Sequence, residues 1–390
     1  MSPAGSPAGS PRLRLLLVYD TLYPDTIGGI EHRAAELARA LAARGHRVSL
    51  AAFTDRPASS VPGVELLSLG SPDRRPGIRR GGASALRFAG AVGRLPVERF
   101  DLVEVANVPF AHLLPLALRC RRGGVPLLVT WHEVWGEHWR RFTPSRVASA
   151  ALRVAEWLGA QVGDAVHAVS ALTAGRLESY RRAGPVQVIP NGIDGARVRS
   201  AVGSAPIPGP PMVCAGRLFG DKRVELAIGA AAILARRRPG PLLTVIGEGP
   251  EEESLRSLAE RLGIAERVIF TGKLPDADAV WRVAAGARIA LHPSAREGFG
   301  IFPLEAMALG LPVVFCPEPG NAVGELVRDG HEGFAVAAEA GSIAAAASRL
   351  LDDAPLLGAF SAAARRRAAE FDWTSVAGHF EDACERLVRP

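Results

Sequence analysis

LRLLLVYDTLYPDTIGGIEHRAAELARALAARGHRVSLAAF, residues 13–53, reads as strand, loop, helix and strand. The run 13–20 is continuously apolar, as a strand buried on both faces must be. Residues 30–45 repeat their apolar positions at helical spacing and stop at Gly45. Residues 46–53 form the second strand. A strand, a helix and a second strand in this order make a parallel pair with a helical crossover.

The same alternation continues outward. Further strands are expected at 64–69, 102–106, 126–131, 165–170 and 186–190, with helices between most of them. The tract SAPIPGPP (204–211) has linker composition. After it the pattern restarts with a strand at 212–216 and a helix at 222–238. Strands follow at 242–247, 268–270, 288–294, 312–315 and 333–336, with helices at 251–262, 276–285 and 303–309. Helix-rich tracts at 341–370 and 373–388 finish the chain. Two doubly wound Rossmann-like domains facing a central cleft are therefore expected, with ligands near the carboxyl ends of the strands. The expected divisions are a tail at 1–11, a first domain at 12–195, a linker at 196–211, a second domain at 212–370 and a closing helix at 371–390.

Composition excludes several classes. The 390 residues are 48% hydrophobic and 22% charged, a globular balance. No apolar run reaches the roughly 20 residues of a membrane helix. The N-terminal MSPAGSPAGSP lacks the apolar core of a signal peptide and reads as a tail, so a cytoplasmic protein is expected. Cys120, Cys214, Cys316 and Cys384 lack metal-ligand or CxxC spacing and read as buried free thiols. The net charge of +6 is uneven: residues 1–200 carry +10 and residues 201–390 carry −4. The basic half suits an anionic partner, such as a phosphorylated acceptor or the inner face of a membrane, and equally suits solvated arginines. No nucleic-acid module is present. The arginine-rich stretch 70–96 fits an acceptor loop, a peripheral membrane contact or an ordinary surface segment. High Ala and Arg with only two lysines, Lys222 and Lys273, fits a GC-rich bacterial gene.

Chemistry concentrates at strand ends in the second half. GRLFGDKR (216–223) supplies Gly216, Arg217 and Lys222, a fork and a point charge suited to a diphosphate. IGEGPE (246–251) is a glycine turn with Gly247 and Gly249, and FTGK (270–273) ends at Lys273. SAREGFGIFPLEAMALGLPV (294–313) sets Glu297 and Glu305 on either side of Gly298-Phe299-Gly300. A helix start with unpaired amides, flanked by two carboxylates, suits an anion or a ligand rich in hydroxyls. In the first half, WHEVWGEHW (131–139) is rich in Trp and His. Such residues cover the C–H faces of sugars and also fill cores.

Together these motifs resemble the family 4 glycosyltransferases, retaining enzymes of GT-B fold. Glu297 and Glu305 are similar to that family's Glu–seven residues–Glu signature. GRL-x-x-DK, VIPNGID (188–194), TWHE (130–133), GGIE (28–31) and FDW (371–373) resemble further family segments. The resemblance implies a hexosyltransferase moving a sugar from a nucleotide-diphosphate sugar, UDP- or GDP-linked, to an acceptor hydroxyl. The acceptor would be a cell-envelope glycan, a lipid carrier or a secondary metabolite. It implies donor binding by Gly28, Gly29, Gly216, Arg217, Lys222, Gly247, Gly249, Lys273, Glu297, Gly298, Phe299, Gly300 and Glu305. His132, Glu297, Arg217 and Lys222 would carry the chemistry. Trp131, Glu133, Trp135 and His138 are candidates for the acceptor. No cofactor or metal is implied, since two cations can do a metal's electrostatic work. The last helix is expected to pack back on the first domain. A GT-B epimerase or phosphorylase, or a non-catalytic sugar-binding protein, are the alternative readings.

Overall fold

The computed structural model describes residues 12–23, 28–72, 82–143, 145–182, 184–203 and 208–389. The expected tail and Arg74, Arg75, Arg79 and Arg80 of the 70–96 stretch lie outside them. The chain divides into two compact units, Met1–Gly192 with Trp373–Pro390, and Ile193–Asp372.

Unit 1 holds a seven-stranded parallel sheet. Its strands are β1 (Arg14–Val18), β2 (Arg47–Ala52), β3 (Val64–Ser68), β4 (Leu102–Ala106), β5 (Leu127–Trp131), β6 (Ala165–Ala168) and β7 (Val186–Val188), in spatial order 3-2-1-4-5-6-7. Register is direct, with Leu16 opposite both Ser49 and Val103. Alternate strand residues serve opposite cores. Leu16, Val18, Val103, Val105 and Val129 pack with Phe88, Leu113, Leu116 and Ala160 from helices Gly82–Val92, Leu113–Gly123 and Arg146–Ala160. Leu15, Leu17 and Leu50 pack with Leu37 and Leu41 of helix Gly29–Ala43. On that second side lies the final helix, Trp373–Val388, through Trp373, Val376, Phe380 and Cys384.

Unit 2 repeats the plan. Its main strands are β8 (Met212–Ala215), β9 (Leu243–Ile246), β10 (Val268–Gly272), β11 (Ile289–His292), β13 (Val313–Phe315) and β15 (Gly333–Ala335), ordered 10-9-8-11-13-15. In both sheets the strand order reverses beside the first strand, between β1 and β4 and between β8 and β11. The carboxyl ends flanking such a reversal are where this architecture leaves a crevice. A second, two-stranded pair, β12 (Arg296–Glu297) and β14 (Gly320–Asn321), was not legible from periodicity because two residues carry no period.

Boundaries differ from expectation in three places. The chain leaves unit 1 after Gly192 and returns at Trp373. The expected linker begins as a helix, Gly195–Val202, because the Asp194 carboxylate accepts the Arg197 amide at 2.8 Å and caps it. The 301–309 helix starts two residues early, at Ile301, with Pro303 inside its first turn. Proline is tolerated there because a first-turn N–H has no intrahelical partner. All four cysteines are buried and free.

Candidate active site

Two loops at the β8 and β11 ends of unit 2 are tied together by backbone. The Ala295 amide donates to the Asp221 carbonyl at 2.8 Å, docking the 220–222 turn against the segment after β11. The Asn321 side-chain amide donates to the carbonyls of Ser294 (2.9 Å) and Cys316 (3.1 Å), fixing that segment from the other side. The Ala322 amide donates to the Glu297 carbonyl at 2.9 Å. The result is a rigid seat for one carboxylate.

That carboxylate is Glu297. Its Oε1 lies 2.5 Å from Lys222 Nζ, 3.1 Å from His292 Nε2 and 3.4 Å from the Ser294 hydroxyl. Burial alone would raise its pKa. The adjacent Lys222 ammonium and His292 imidazole outweigh burial and hold the carboxyl well below its usual range. The side chains of Lys222 and Glu297 stay 21% and 17% exposed, so the pair can be reached. Oε2 has no hydrogen-bond partner among the described residues.

Arg217 sits differently. Its guanidinium lies 5.4 Å from the Phe219 ring, exposed, and it makes no ion pair among the described residues. It is a poised cation beside a cation already committed to a carboxylate. The loop carrying it is pressed against the next one. A Cβ on Gly247 would stand 1.9 Å from the Gly216 carbonyl oxygen, and one on Gly249 would stand 2.3 Å from that of Leu218. Only glycine permits this approach, which explains the GEG spacing physically. Lys273 is exposed at the end of β10, with Glu248 3.7 Å away.

The 301–309 helix supplies the remaining pieces. Gly300 precedes it at φ +99°, a left-handed conformation suited to glycine. Among the described residues the amides of Phe299, Gly300, Ile301 and Phe302 have no acceptor, and the first intrahelical bond is Leu304 N–H to Gly300 O at 3.2 Å. Phe299 is buried, while Gly298 is partly exposed. Glu305 is 8% exposed on the same helix. Burial pushes its carboxyl up to about 7, with the Trp281 indole acting in the opposite direction. Two glutamates eight residues apart are thus shifted in opposite directions, Glu297 toward the ionised form and Glu305 up to its midpoint near neutral pH.

In unit 1 the motif residues cluster at the ends of β1, β4 and β5. The His132 amide donates to Asn107 Oδ1 at 3.1 Å, and Asn107 Nδ2 donates to the Glu133 carbonyl at 3.3 Å. The turn after them is held by a buried carboxylate. Glu156 accepts the amides of Trp135 (2.6 Å) and Gly136 (2.7 Å) and the Trp139 indole (3.3 Å). Trp135 stacks on Trp139 at 4.7 Å between ring centroids. His132, Glu133, Trp135 and His138 remain partly exposed. Trp131 corrects an expectation: it is wholly buried against Phe110 and cannot touch an acceptor. A β5 strand covered on both faces leaves no exposed position before His132. Gly28 and Gly29 open the 29–43 helix, where the buried Glu31 carboxylate folds back over Gly28 and accepts from the Thr21 hydroxyl at 3.0 Å.

Four contributors escaped the sequence reading: His292, Ser294, Trp281 and Asn321. His292 and Ser294 had a usable signal, a polar residue on each side of Pro293 at the carboxyl end of the reversal strand. Trp281 and Asn321 had none, since each acts through a contact distant in sequence.

The fold is that of the GT-B glycosyltransferases. The solved structure of Anabaena Alr3699/HepE in complex with UDP-glucose superposes with a TM-score of 0.75 at 21% identity, covering 96% of this chain and all of that one. Residues 27–197 match the model for Glycosyltransferase Family 4, and residues 207–367 match that for Glycosyl transferases group 1. The 2-deoxystreptamine N-acetyl-D-glucosaminyltransferase of Streptomyces fradiae is 32% identical over 77% of this chain and 76% of its own length. A mannosyltransferase of Mycolicibacterium smegmatis, GDP-mannose-dependent and acting on phosphatidylinositol monomannoside, is 31% identical over 67% and 69%. This chain belongs to the family 4 glycosyltransferases. It is an enzyme that transfers a sugar from a nucleotide sugar.

Proposed function

We propose that the protein is a retaining, metal-independent transferase that binds a UDP- or GDP-sugar in unit 2. The observation that carries this reading is the accessible Lys222–Glu297–His292 cluster at the carboxyl ends of β8 and β11. Lys222, Arg217 and the free amides at Phe299–Phe302 would hold the donor diphosphate and take up the charge that builds as it leaves. Glu305 would accept from the ribose hydroxyls, and Glu297 would hold the sugar through Oε2. Gly216, Gly247, Gly249, Gly298 and Lys273 would border the nucleotide. Unit 1 would contribute Gly28, Gly29 and His132 to the phosphate and sugar. Glu133, Trp135 and His138 would contribute to an acceptor from the cell envelope, a lipid carrier or secondary metabolism. The departing phosphate would take the acceptor proton during attack on the same face, which preserves configuration.

Support for the donor class comes from the relatives, one named GDP-mannose-dependent and one fold neighbour solved with UDP-glucose. A panel of UDP-, GDP-, ADP- and dTDP-sugars tests it by thermal shift, since a ligand bound only to the native state raises the melting temperature. One nucleotide class stabilises the parent, and Lys222→Ala abolishes that stabilisation. A panel with no shift sinks the donor assignment. Undiminished transfer in EDTA supports metal independence, and loss restored by Mg²⁺ refutes it.

A further inference from the structure

Helices Gly82–Val92, Leu113–Gly123 and Arg146–Ala160 cover one side of the unit 1 sheet, sharing a core through Phe88, Leu113, Leu116 and Ala160. Their outer faces are unlike ordinary helix surfaces. On the 146–160 helix the exposed positions are Arg146, Val147, Ala148, Ala150, Ala151, Val154 and Leu158. Val147 is 79% exposed and Val154 56%. Leu114 and Leu118 stand one turn apart on the second helix, and Leu86 on the first. Six of the ten large exposed apolar side chains among the described residues lie on these three helices. Scattered exposed leucines require no explanation, but a concentration does.

The charges on this face have one sign. The three helices carry Arg87, Arg119, Arg121, Arg122, Arg146 and Arg153. Their one acid, Glu156, is fully buried and occupied by the 135–136 amides. The nearby exposed acids Glu98 and Glu137 are paired with Arg119 (2.5 Å) and Arg153 (3.7 Å). Arg121, Arg122 and Arg146 make no ion pair among the described residues.

We propose that this face docks on an anionic lipid bilayer. An apolar stripe flanked only by arginines is what an interfacial helix presents, the stripe entering the acyl boundary and the arginines meeting anionic headgroups. A second copy fits worse. A self-complementary interface would set arginines against arginines with no free acid to pair them. A protein partner would have to bury the Val147, Ala150, Ala151, Val154 and Leu158 surface, whose side chains offer no hydrogen bond, whereas protein interfaces carry about ten hydrogen bonds each. This inference goes beyond the transfer reaction, and its test reads lipid binding rather than turnover.

The full chain is floated with vesicles of equimolar phosphatidylcholine and phosphatidylglycerol, and with phosphatidylcholine alone. Flotation with the anionic vesicles that weakens with salt is expected. Val154→Glu and Leu158→Glu each lower the partition coefficient by at least about ten-fold, with an unchanged melting temperature and an unchanged nucleotide-sugar shift. Arg121→Glu with Arg122→Glu removes the preference for phosphatidylglycerol. Absent flotation, or equal flotation of the glutamate variants, overturns the proposal. So does a parent that light scattering shows to be a dimer and that Val154→Glu makes monomeric, which would assign the face to a second copy.

Discussion

Two ion pairs, one in each unit, look alike on paper and do different work. In unit 1, Arg33 and Glu104 lie 3.4 Å apart with neither side chain exposed, and the Tyr19 hydroxyl bridges them at 3.1 and 3.2 Å. Burial raises the Glu104 carboxyl despite Arg33. In unit 2, Lys222 and Glu297 lie 2.5 Å apart, each about one-fifth exposed, with the Glu297 carboxyl lowered. The first pair joins the 29–43 helix to the middle of the sheet. The second stands where strands end. A sealed pair has no ligand to serve, so its energy goes into the fold. An open pair keeps charge available to whatever enters.

Breaking the sealed pair has the largest expected effect. Glu104→Ala leaves the Arg33 guanidinium buried without its counter-charge, which costs about 3–5 kcal/mol of stability. The denaturant midpoint falls accordingly, while the fraction still folded keeps its donor-induced thermal shift. A midpoint within error of the parent would make the pair dispensable and dissolve the contrast. Lys222→Ala should do the opposite. Removing one pre-placed cation from a leaving group costs about 10²–10³ in kcat, or roughly 3–4 kcal/mol. Its midpoint should move far less than that of Glu104→Ala. Equal destabilisation of both variants would show that openness does not separate site from scaffold.

Glu305 sharpens the comparison within unit 2. An unfolded glutamate titrates at about 4.3, and burial pushes the folded Glu305 up to about 7. Below the unfolded value both states are protonated and nothing is lost. As pH rises from there the unfolded chain ionises first, so stability falls until pH passes about 7. Above that the penalty is constant, about 4 kcal/mol. Glu305→Gln should therefore match the parent near pH 4 and exceed it in stability at pH 8. The same substitution should weaken donor binding most at pH 8, where the parent carboxylate is ionised and able to accept ribose hydroxyls. A variant no more stable than its parent at pH 8 would mean that Glu305 ionises freely.

The repeated α/β plan was legible because buried strands write themselves as unbroken apolar runs and helices as a 3.6 period. Residues 13–53 alone carried both. Glu297, Glu305, Arg217 and Lys222 were legible as a set because the segments carrying them follow β8 and β11 and match the resembled family's motifs in order. Two things were not legible. Trp131 looked like part of a sugar-facing aromatic segment although it closes the strand expected at 126–131; β5's position in mid-sheet buries it. The Lys222–Glu297 contact spans 75 residues and depends on the 221–295 and 294–321 backbone ties. No local pattern encodes these. The outer face of the 146–160 helix lay in plain view as RVASAALRVAEWLGA, but which of its apolar residues face the core and which the surface is settled only by exposure.

The smallest test uses two helix caps. Asp276 accepts the Ala279 amide at 2.7 Å and starts the 277–284 helix, which carries Trp281 beneath Glu305. Ser170 accepts the Thr173 amide at 3.1 Å and starts the 171–178 helix in unit 1. Losing either cap costs about 1 kcal/mol, so Asp276→Ala and Ser170→Ala should shift the melting temperature alike. They should differ in ligand response. A frayed 277–284 helix loosens the indole that steadies the Glu305 carboxyl, so Asp276→Ala should raise the nucleotide Kd by a few-fold. Ser170→Ala should leave it unchanged, because none of the donor residues proposed above lies on its helix. If both variants bind nucleotide like the parent, Trp281 is a packing residue and the Glu305 environment is set by burial alone.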